Sequence, residues 1–288
     1  KDAYKTLQAS DPLRMAGATA FFTTFALPAI LIIIIQLLRL IFRIEHPGKR
    51  LMIQLEGMFG KETTAAILET LKAFRSIAPN WIIAITGFIF LLFVATTLFK
   101  IIKGSVNELW KVRPAGKMNL GQIMLSRLKG VLVIFFAGIL FIIDLVAEAA
   151  RTFLGRYIDF YLPALAIYYN SALNYVISVI IVTIWFFLVF YFLPDGRPRW
   201  KAGLTGALVT SILFNIGNAV LKMMLTYSSI NSIYGASAST VLVLLFMFYS
   251  SLIFYFGACF TDAWAARTDQ PIAPLPNASR FEITDTEE

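Results

Sequence analysis

Three ionisable residues lie close together in one of the most apolar stretches of the chain. Asp144 and Glu148 are four residues apart and Arg151 follows three residues later, so on a helix the three side chains share nearly one face. Ionisable groups inside a membrane-spanning helix are costly and are functional candidates by default. We predict a polar face here, with Asp144 deep enough in its span to need a buried partner or a wet cavity.

A second polar face follows in the stretch 202–225, where Asn215, Asn218 and Lys222 fall near helical spacing. At about 1.5 Å per residue, Asp144 and Asn215 lie at similar heights, roughly 20 Å from the start of their spans. The matching heights predict that the two faces meet in a polar groove that opens outward. The alternative is that the charged side chains snorkel to the interface while the asparagines join helices.

Catalytic signatures are absent from the chain. HExxH, GxSxG and Gly-rich phosphate-loop patterns do not occur. One cysteine, Cys259, and one histidine, His46, supply no Cys/His metal cluster. Two carboxylates also offer fewer oxygens than a Mg²⁺ or Ca²⁺ site usually needs. We therefore expect no enzyme, no metal site and no cofactor.

Six apolar stretches carry these residues: 15–38, 81–99, 130–150, 173–193, 202–225 and 240–260. Each is near the roughly 20 residues that cross a hydrocarbon core as a helix, and a span must be helical to satisfy its backbone. The chain is 58% hydrophobic and 15% charged, whereas soluble domains carry about 25% charge. This predicts an all-α, polytopic membrane protein with a six-helix transmembrane domain over residues 1–265.

The basic residues indicate the topology. Lys and Arg concentrate in the loops between spans two and three and between spans four and five, and such short basic loops stay cytoplasmic. Both termini are therefore predicted to be cytoplasmic, with residues 266–288 forming a mobile acidic tail. The net charge of +8 then indicates contact with anionic lipid and no nucleic acid.

The segment after span one, about residues 50–78, is predicted to be an extracytoplasmic helical insert. Ala65, Leu68, Leu71 and Phe74 recur near helical spacing between charged residues, which indicates an amphipathic helix over 61–77. The simplest interpretation is a surface helix that packs on the bundle. The alternatives are that it lies on the outer membrane surface or re-enters the membrane to cap a cavity.

Two loops place a tryptophan among basic residues, at Asn107–Arg113 and at Leu193–Lys201. Tryptophan anchors at the headgroup level, and Arg or Lys pairs with lipid phosphate. We predict that these loops form a lipid headgroup rim; the alternative is ordinary interface anchoring. Its members are Trp110, Lys111, Arg113, Arg197, Arg199, Trp200 and Lys201.

Four ordered motifs resemble the YihY/BrkB family of bacterial inner-membrane proteins, over about residues 12–264. They are the Ala-x-Ala-Phe-Phe…Pro pattern of 16–28, Asn107–Arg113, the Phe-Leu-Pro-Asp-Gly-Arg-Pro-Arg-Trp-Lys run of 192–201, and Ile-Tyr-Gly at 233–235. The resemblance implies six transmembrane helices, cytoplasmic termini and a link with envelope lipid export. The family once carried the name of a tRNA-processing ribonuclease, but the residues of this chain do not support that activity. Members often carry an acid and a lysine where Asn215 and Asn218 stand, so an ion-pair mechanism is not carried over.

Translocation of an anionic lipid or similar amphiphile, or assistance in it, is the function we predict, in the service of envelope biogenesis. The basic rim would gather headgroups, and the polar faces of spans three and five would give them a path. A non-transporting scaffold for envelope-assembly partners is the alternative, and a small-solute or ion channel is third. Expected partners are membrane lipids and either further copies of the chain or envelope-assembly proteins.

Overall fold

Helices account for most of the structure. The computed structural model describes residues 2–40, 43, 47–59, 61–76, 81–115, 121, 124, 128–130, 132–143, 147, 163–227 and 238–281. The helices are α1 Asp2–Ala9, α2 Pro12–Leu40, α3 Pro47–Phe59, α4 Lys61–Ser76, α5 Trp81–Leu109, α6 Leu128–Ile143, α7 Pro163–Phe192, α8 Trp200–Tyr227 and α9 Ala238–Arg267. The strands are β1 Val112–Pro114, β2 Gly196–Arg197, β3 Ala273–Pro274 and β4 Ala278–Arg280.

Several of these helices are long enough to cross a membrane. Judged by length and composition, 4 helices of the described part could cross a membrane: Pro12–Gln36 in α2, Tyr175–Phe192 in α7, Trp200–Leu221 in α8 and Thr240–Arg267 in α9. The helix α6 is apolar but shorter, and α5 is 29 residues long. The predicted class of helical membrane protein is therefore confirmed, while the count of six spans stays a prediction.

The long helices pack in a continuous series. Helix α7 packs on α8, α8 on α9, α9 on α2, and α2 on α5. Helix α6 meets α5 where Gly130 lies against Phe99, and meets α7 where the rings of Phe136 and Phe192 stack with centroids 5.9 Å apart. Arg14 at the start of α2 reaches Glu108 near the end of α5 at 3.4 Å. We call this end of the bundle, where α2 and α8 begin and α5, α7 and α9 finish, the motif end.

Helices α8 and α9 approach each other most closely at a reciprocal pair of glycines. Gly206 on α8 lies directly against Thr261 on α9, and Gly257 on α9 lies against Thr210 on α8, with no room for a Cβ at either glycine. Each threonine hydroxyl donates to the carbonyl of the glycine four residues before it, at 2.7 Å from Thr210 and 2.8 Å from Thr261. Small residues thus let the two backbones pack closely, as is common between membrane helices.

The outer surface of the bundle is apolar. On α8 one exposed stripe recurs at every fourth residue, while Ala202 and Ala207 on the other side of the helix are buried. An exposed apolar stripe along a long helix fits a hydrocarbon environment, because lipid is as apolar as the side chains that face it. The stripe consists of Leu204, Leu208, Ile212, Ile216 and Val220.

The predicted amphipathic insert consists of two helices. The helix expected over 61–77 is present as α4; α3 precedes it, and α4 packs on α3, α9 and α2. Its buried face carries Thr63, Ile67 and Leu71, whereas Ala65, expected on the apolar face, is exposed. Whether the pair lies on a membrane surface or re-enters the membrane stays a prediction.

The segment after α9 folds back onto the motif end. Strand β4 pairs antiparallel with β1, and β3 with β2. The Leu275 N–H donates to the Asp195 carbonyl at 2.8 Å, and the Phe281 N–H donates to the Lys111 carbonyl at 2.9 Å. We call residues 270–281 the C-terminal clasp.

The clasp differs from the mobile tail predicted over 266–288. The prolines and polar residues of this stretch are typical of disorder, but strands of two or three residues tolerate proline because they need few backbone N–H groups. Pro114 and Pro274 both lie in such strands. Residues 282–288 lie outside the described residues.

Candidate functional site

The two tryptophan-containing motifs meet at a reciprocal pair of hydrogen bonds. The Asn107 side-chain amide donates to Asp195 Oδ2 at 2.8 Å, and the Asp195 backbone N–H donates to Asn107 Oδ1 at 2.8 Å. Asn107 belongs to the last turns of α5, and Asp195 follows the end of α7. Each residue therefore fixes the position of the other across 88 residues of chain.

A buried ion pair completes this arrangement. Lys103 Nζ lies 2.8 Å from Asp195 Oδ1, and the two side chains are only 10% and 14% exposed. Lys103 is one turn before Asn107 on α5, so both side chains reach the same carboxylate. We call Lys103, Asn107 and Asp195 the polar knot. Because water is nearly excluded, loss of one partner would leave a buried charge uncompensated.

Trp110 lies in the core, not on the predicted headgroup rim. It is 1% exposed, and its indole N–H donates to the Ala258 carbonyl of α9 at 2.9 Å. Its ring faces Gly196, where a Cβ would lie 3.2 Å from Trp110 Cε3 and 2.9 Å from Ile272 Cγ2. A buried tryptophan needs a partner for its N–H, and here that partner ties α5 to α9.

The other rim residues are exposed at the motif end. Three of their cations lie over aromatic rings: Arg113 over Phe281 at 5.7 Å, Arg197 over Tyr191 at 5.2 Å, and Lys201 over Trp200 at 5.6 Å. Such contacts orient a cation without removing its charge from solvent. Contact of this surface with lipid headgroups stays a prediction. The exposed members are Lys111, Arg113, Arg197, Arg199, Trp200 and Lys201.

Lys129, which precedes the predicted third span, lies beside the polar knot. Burial, followed by the positive charge of Lys103, lowers the pKa of the Lys129 amine below its usual value. Asp195 opposes this change, and Arg197 reinforces it. Sequence reasoning assigned Lys129 only to the basic loop, because nothing in the chain shows which loop lysine is half-buried.

The predicted substrate path is only partly described. Asp144, Glu148 and Arg151 lie outside the described residues, as does the side chain of Lys222. Helix α8 packs on α7 and α9, whereas α6 meets α5 and α7. The predicted meeting of the acids with α8 therefore stays a prediction.

Asn215, the first asparagine of the path, joins two helices. Its side-chain oxygen accepts from the Ser178 hydroxyl of α7 at 2.9 Å, and its amide donates to the Ser211 carbonyl at 2.9 Å. The Ser211 hydroxyl donates in turn to the Val179 carbonyl at 2.9 Å. This is the interhelical role that the alternative interpretation gave to Asn215.

Asn218, one turn further along α8, is different. Its Oδ1 is buried and has no hydrogen-bond partner in the described part of the chain. On α9 the hydroxyls of Tyr249 and Ser250 are buried too, and they interact with each other without a well-formed hydrogen bond. Gly217 lies against the Tyr249 ring, where a Cβ would be 2.8 Å from Cε2, so these residues lie near one level of the α8–α9 pair. We call the three atoms the unpaired oxygens. Tyr249 and Ser250 were not predicted, since an isolated Tyr-Ser pair in an apolar span carries no signal.

Known proteins similar to this chain are membrane proteins. The family model described as Virulence factor BrkB matches residues 3–281. A UPF0761 membrane protein of Pseudomonas paraeruginosa is 24% identical over an alignment of 258 residues that covers 84% of this chain and 57% of the relative. One from Acinetobacter baylyi is 21% identical over 236 residues, 82% of this chain and 54% of the relative. The chain thus spans little more than half the length of these relatives. No solved structure matches the chain significantly.

Proposed function

This chain belongs to the Virulence factor BrkB family of membrane proteins, whose model spans residues 3–281, and from that premise we propose that it translocates an anionic lipid or similar amphiphile, or assists its translocation. The proposal places the protein in the bacterial inner membrane with the motif end in the cytoplasm, because the short basic loops lie at that end. It includes no catalytic step and no cofactor, and its purpose would be envelope biogenesis.

The unpaired oxygens are the observation that carries the proposal. A buried polar group without a partner costs about 1–3 kcal/mol, so the oxygens of Asn218, Tyr249 and Ser250 destabilise the resting bundle. A passing polar group that hydrogen-bonds to them would recover part of that cost. Their place between apolar stretches of α8 and α9 suits a headgroup that must cross an apolar region.

The exposed basic residues of the motif end support the same function. Arg113, Arg197, Arg199 and Lys201 are exposed there, and the Trp200 ring is 63% exposed. A cationic surface beside an amphipathic aromatic ring attracts anionic lipid, at about 1 kcal/mol for each Lys or Arg near the surface. This surface would concentrate the amphiphile at the end where its path begins.

Lipid movement in proteoliposomes tests the proposal. Fluorescent phosphatidylglycerol is placed in both leaflets, and dithionite, which quenches only the outer leaflet, reports movement from the inner one. We expect the wild-type protein to speed quenching of the inner pool relative to protein-free liposomes. The double variant Asn218→Leu/Tyr249→Phe should slow this step about tenfold, because it removes two hydrogen-bonding groups.

Ile216→Leu is the matched control, since Ile216 lies on the exposed stripe of the same helix, and it should move lipid like the wild type. Equal quenching with and without the wild-type protein would refute translocation by this chain alone. That result would favour the alternative function, a non-transporting scaffold. The closed packing of the polar knot and the clasp at the motif end also suits a scaffold.

A further inference from the structure

A column of aromatic rings runs into the bundle from the motif end. The Trp110 ring lies 6.3 Å from that of Phe190, measured between centroids, and Phe190 stacks on Phe254 of α9 at 5.1 Å. Phe186 continues the column, 6.0 Å from Phe254 and 5.8 Å from Phe214 of α8. Rings at such distances pack favourably. A polar group that enters the column finds few hydrogen-bond partners, so it can pass only where the rings separate.

The clasp covers the outer end of this column. Ile272 packs against Gly196, where an added Cβ would lie 2.9 Å from Ile272 Cγ2 and 3.2 Å from Trp110 Cε3. Val112 Cγ2 lies 3.3 Å from the same point, and the side chains of Trp110, Val112 and Ile272 are at most 2% exposed. We call these four residues the seam. The outermost ring of the column is therefore enclosed by a residue of the clasp.

Little holds the clasp in place. All of residues 270–281 are described, and Ile272 is the only one of them that is buried. The strands of the clasp form ladders of only two and three residues, and its Arg280 side chain, 46% exposed, lies 4.0 Å from Asp262. Segments with so few buried contacts open locally while the rest of a protein stays folded. The clasp can therefore lift without unfolding the helices.

We propose that the C-terminal clasp is a releasable strap that keeps the motif end closed, and that the aromatic column opens toward this end only when the strap lifts. With Ile272 withdrawn, Trp110 loses its cover on one side and keeps its hydrogen bond to the Ala258 carbonyl as a tie to α9. Closure of the seam by the clasp stands on these contacts alone. The passage of an amphiphile through the opened end rests on the proposed function.

Accessibility of the seam tests the closure. Val112→Cys in a Cys259→Ala background places a single thiol in the seam, and the rate at which a maleimide modifies it in the detergent-purified chain reports how often the seam opens. We expect slow modification while the clasp is intact. Adding Ile272→Ala should make it about tenfold faster, because the buried anchor of the clasp is truncated. Ile53→Ala is the matched control, since Ile53 is 59% exposed on α3, and it should leave the rate unchanged.

A covalent lock tests the release without weakening the fold. Pro114 and Ala278 are directly opposed in the β1–β4 ladder, where Cα atoms about 4.5–5.5 Å apart suit a disulfide. Pro114→Cys/Ala278→Cys in the same Cys259→Ala background is placed in proteoliposomes. Albumin, which leaves disulfides intact, then extracts short-chain fluorescent phosphatidylglycerol as it reaches the outer leaflet. The oxidised protein should move lipid about tenfold more slowly than the same protein after reduction, and the two single-cysteine variants should show no such difference.

The two measurements separate the strap from the proposed function. Equal modification of the seam cysteine with Ile272→Ala and with Ile53→Ala would refute closure by the clasp. Lipid movement at the same rate in the oxidised and reduced forms would refute the strap and leave translocation standing. If Ile272→Ala opens the seam but no form of the protein moves lipid, the proposed translocation is refuted, and the strap stands as the closure of the motif end.

Discussion

At the polar knot, both side-chain oxygens of Asp195 and the side-chain oxygen of Asn107 have partners at 2.8 Å. Further along α8, the Asn218 oxygen and two hydroxyls on α9 form no well-formed hydrogen bond with any described residue. Both regions are largely buried, so the polar groups in both incur a desolvation penalty. Only the knot recovers it, through contacts within the chain. The knot is therefore built for a fixed structure, and the unpaired oxygens are the region that an external group or a second conformation can stabilise.

Removing the carboxylate of the knot should have the largest effect. Asp195→Ala leaves Lys103 buried without its counter-charge, so we expect the free energy of unfolding to fall by about 3–5 kcal/mol, measured by denaturation in detergent. Glu69→Ala, at an exposed position on α4, is the control and should change little. If Asp195→Ala unfolds like the control, the knot is not a structural element and the contrast with the unpaired oxygens fails.

Enlarging a glycine at the α8–α9 crossing should have a smaller but clear effect. Gly257→Val places methyl groups against Thr210, and overpacking of this kind costs about 1–3 kcal/mol. Gly104→Ala is the control, because a Cβ there meets nothing within 4 Å. An unchanged melting temperature for Gly257→Val would show that α8 and α9 separate readily even at their closest approach.

Replacing tyrosine by phenylalanine at two positions on α9 should have the smallest effects. Tyr255 shares a 2.5 Å hydrogen bond with Thr19 of α2, so Tyr255→Phe leaves the threonine unsatisfied and should cost about 1 kcal/mol. Tyr249→Phe removes a hydroxyl that makes no well-formed hydrogen bond within the described residues, so it should be neutral or slightly stabilising. Melting temperatures in detergent compare the two directly. Equal losses would show that the Tyr249 hydroxyl is satisfied and would remove the contrast between the regions.

Some features could be predicted because their signal is local. The spacing of apolar and charged residues predicted the helix that became α4. Apolar runs of about 20 residues likewise gave the class of protein.

The polar knot and the clasp could not be predicted in the same way. Asn107 and Asp195 are 88 residues apart, and Trp110 and Ala258 are 148 apart, so no periodicity links them. A tryptophan beside basic residues also looks the same in sequence whether it lies at an interface, like Trp200, or in the core, like Trp110. Which of the two is buried depends on the partner that tertiary packing brings.

The position of the clasp in the chain also determines when the motif end can close during synthesis. Its strands are synthesised after every helix described here, yet they cover the loops that follow α5 and α7. Because elements nearer the N-terminus emerge first from the ribosome, the motif end stays uncapped until translation has passed Phe281. Until then, Gly196 lacks the Ile272 side chain, which packs against it beside the Trp110 ring and is buried in the finished structure. A chain that lacks the clasp would therefore leave this apolar seam exposed.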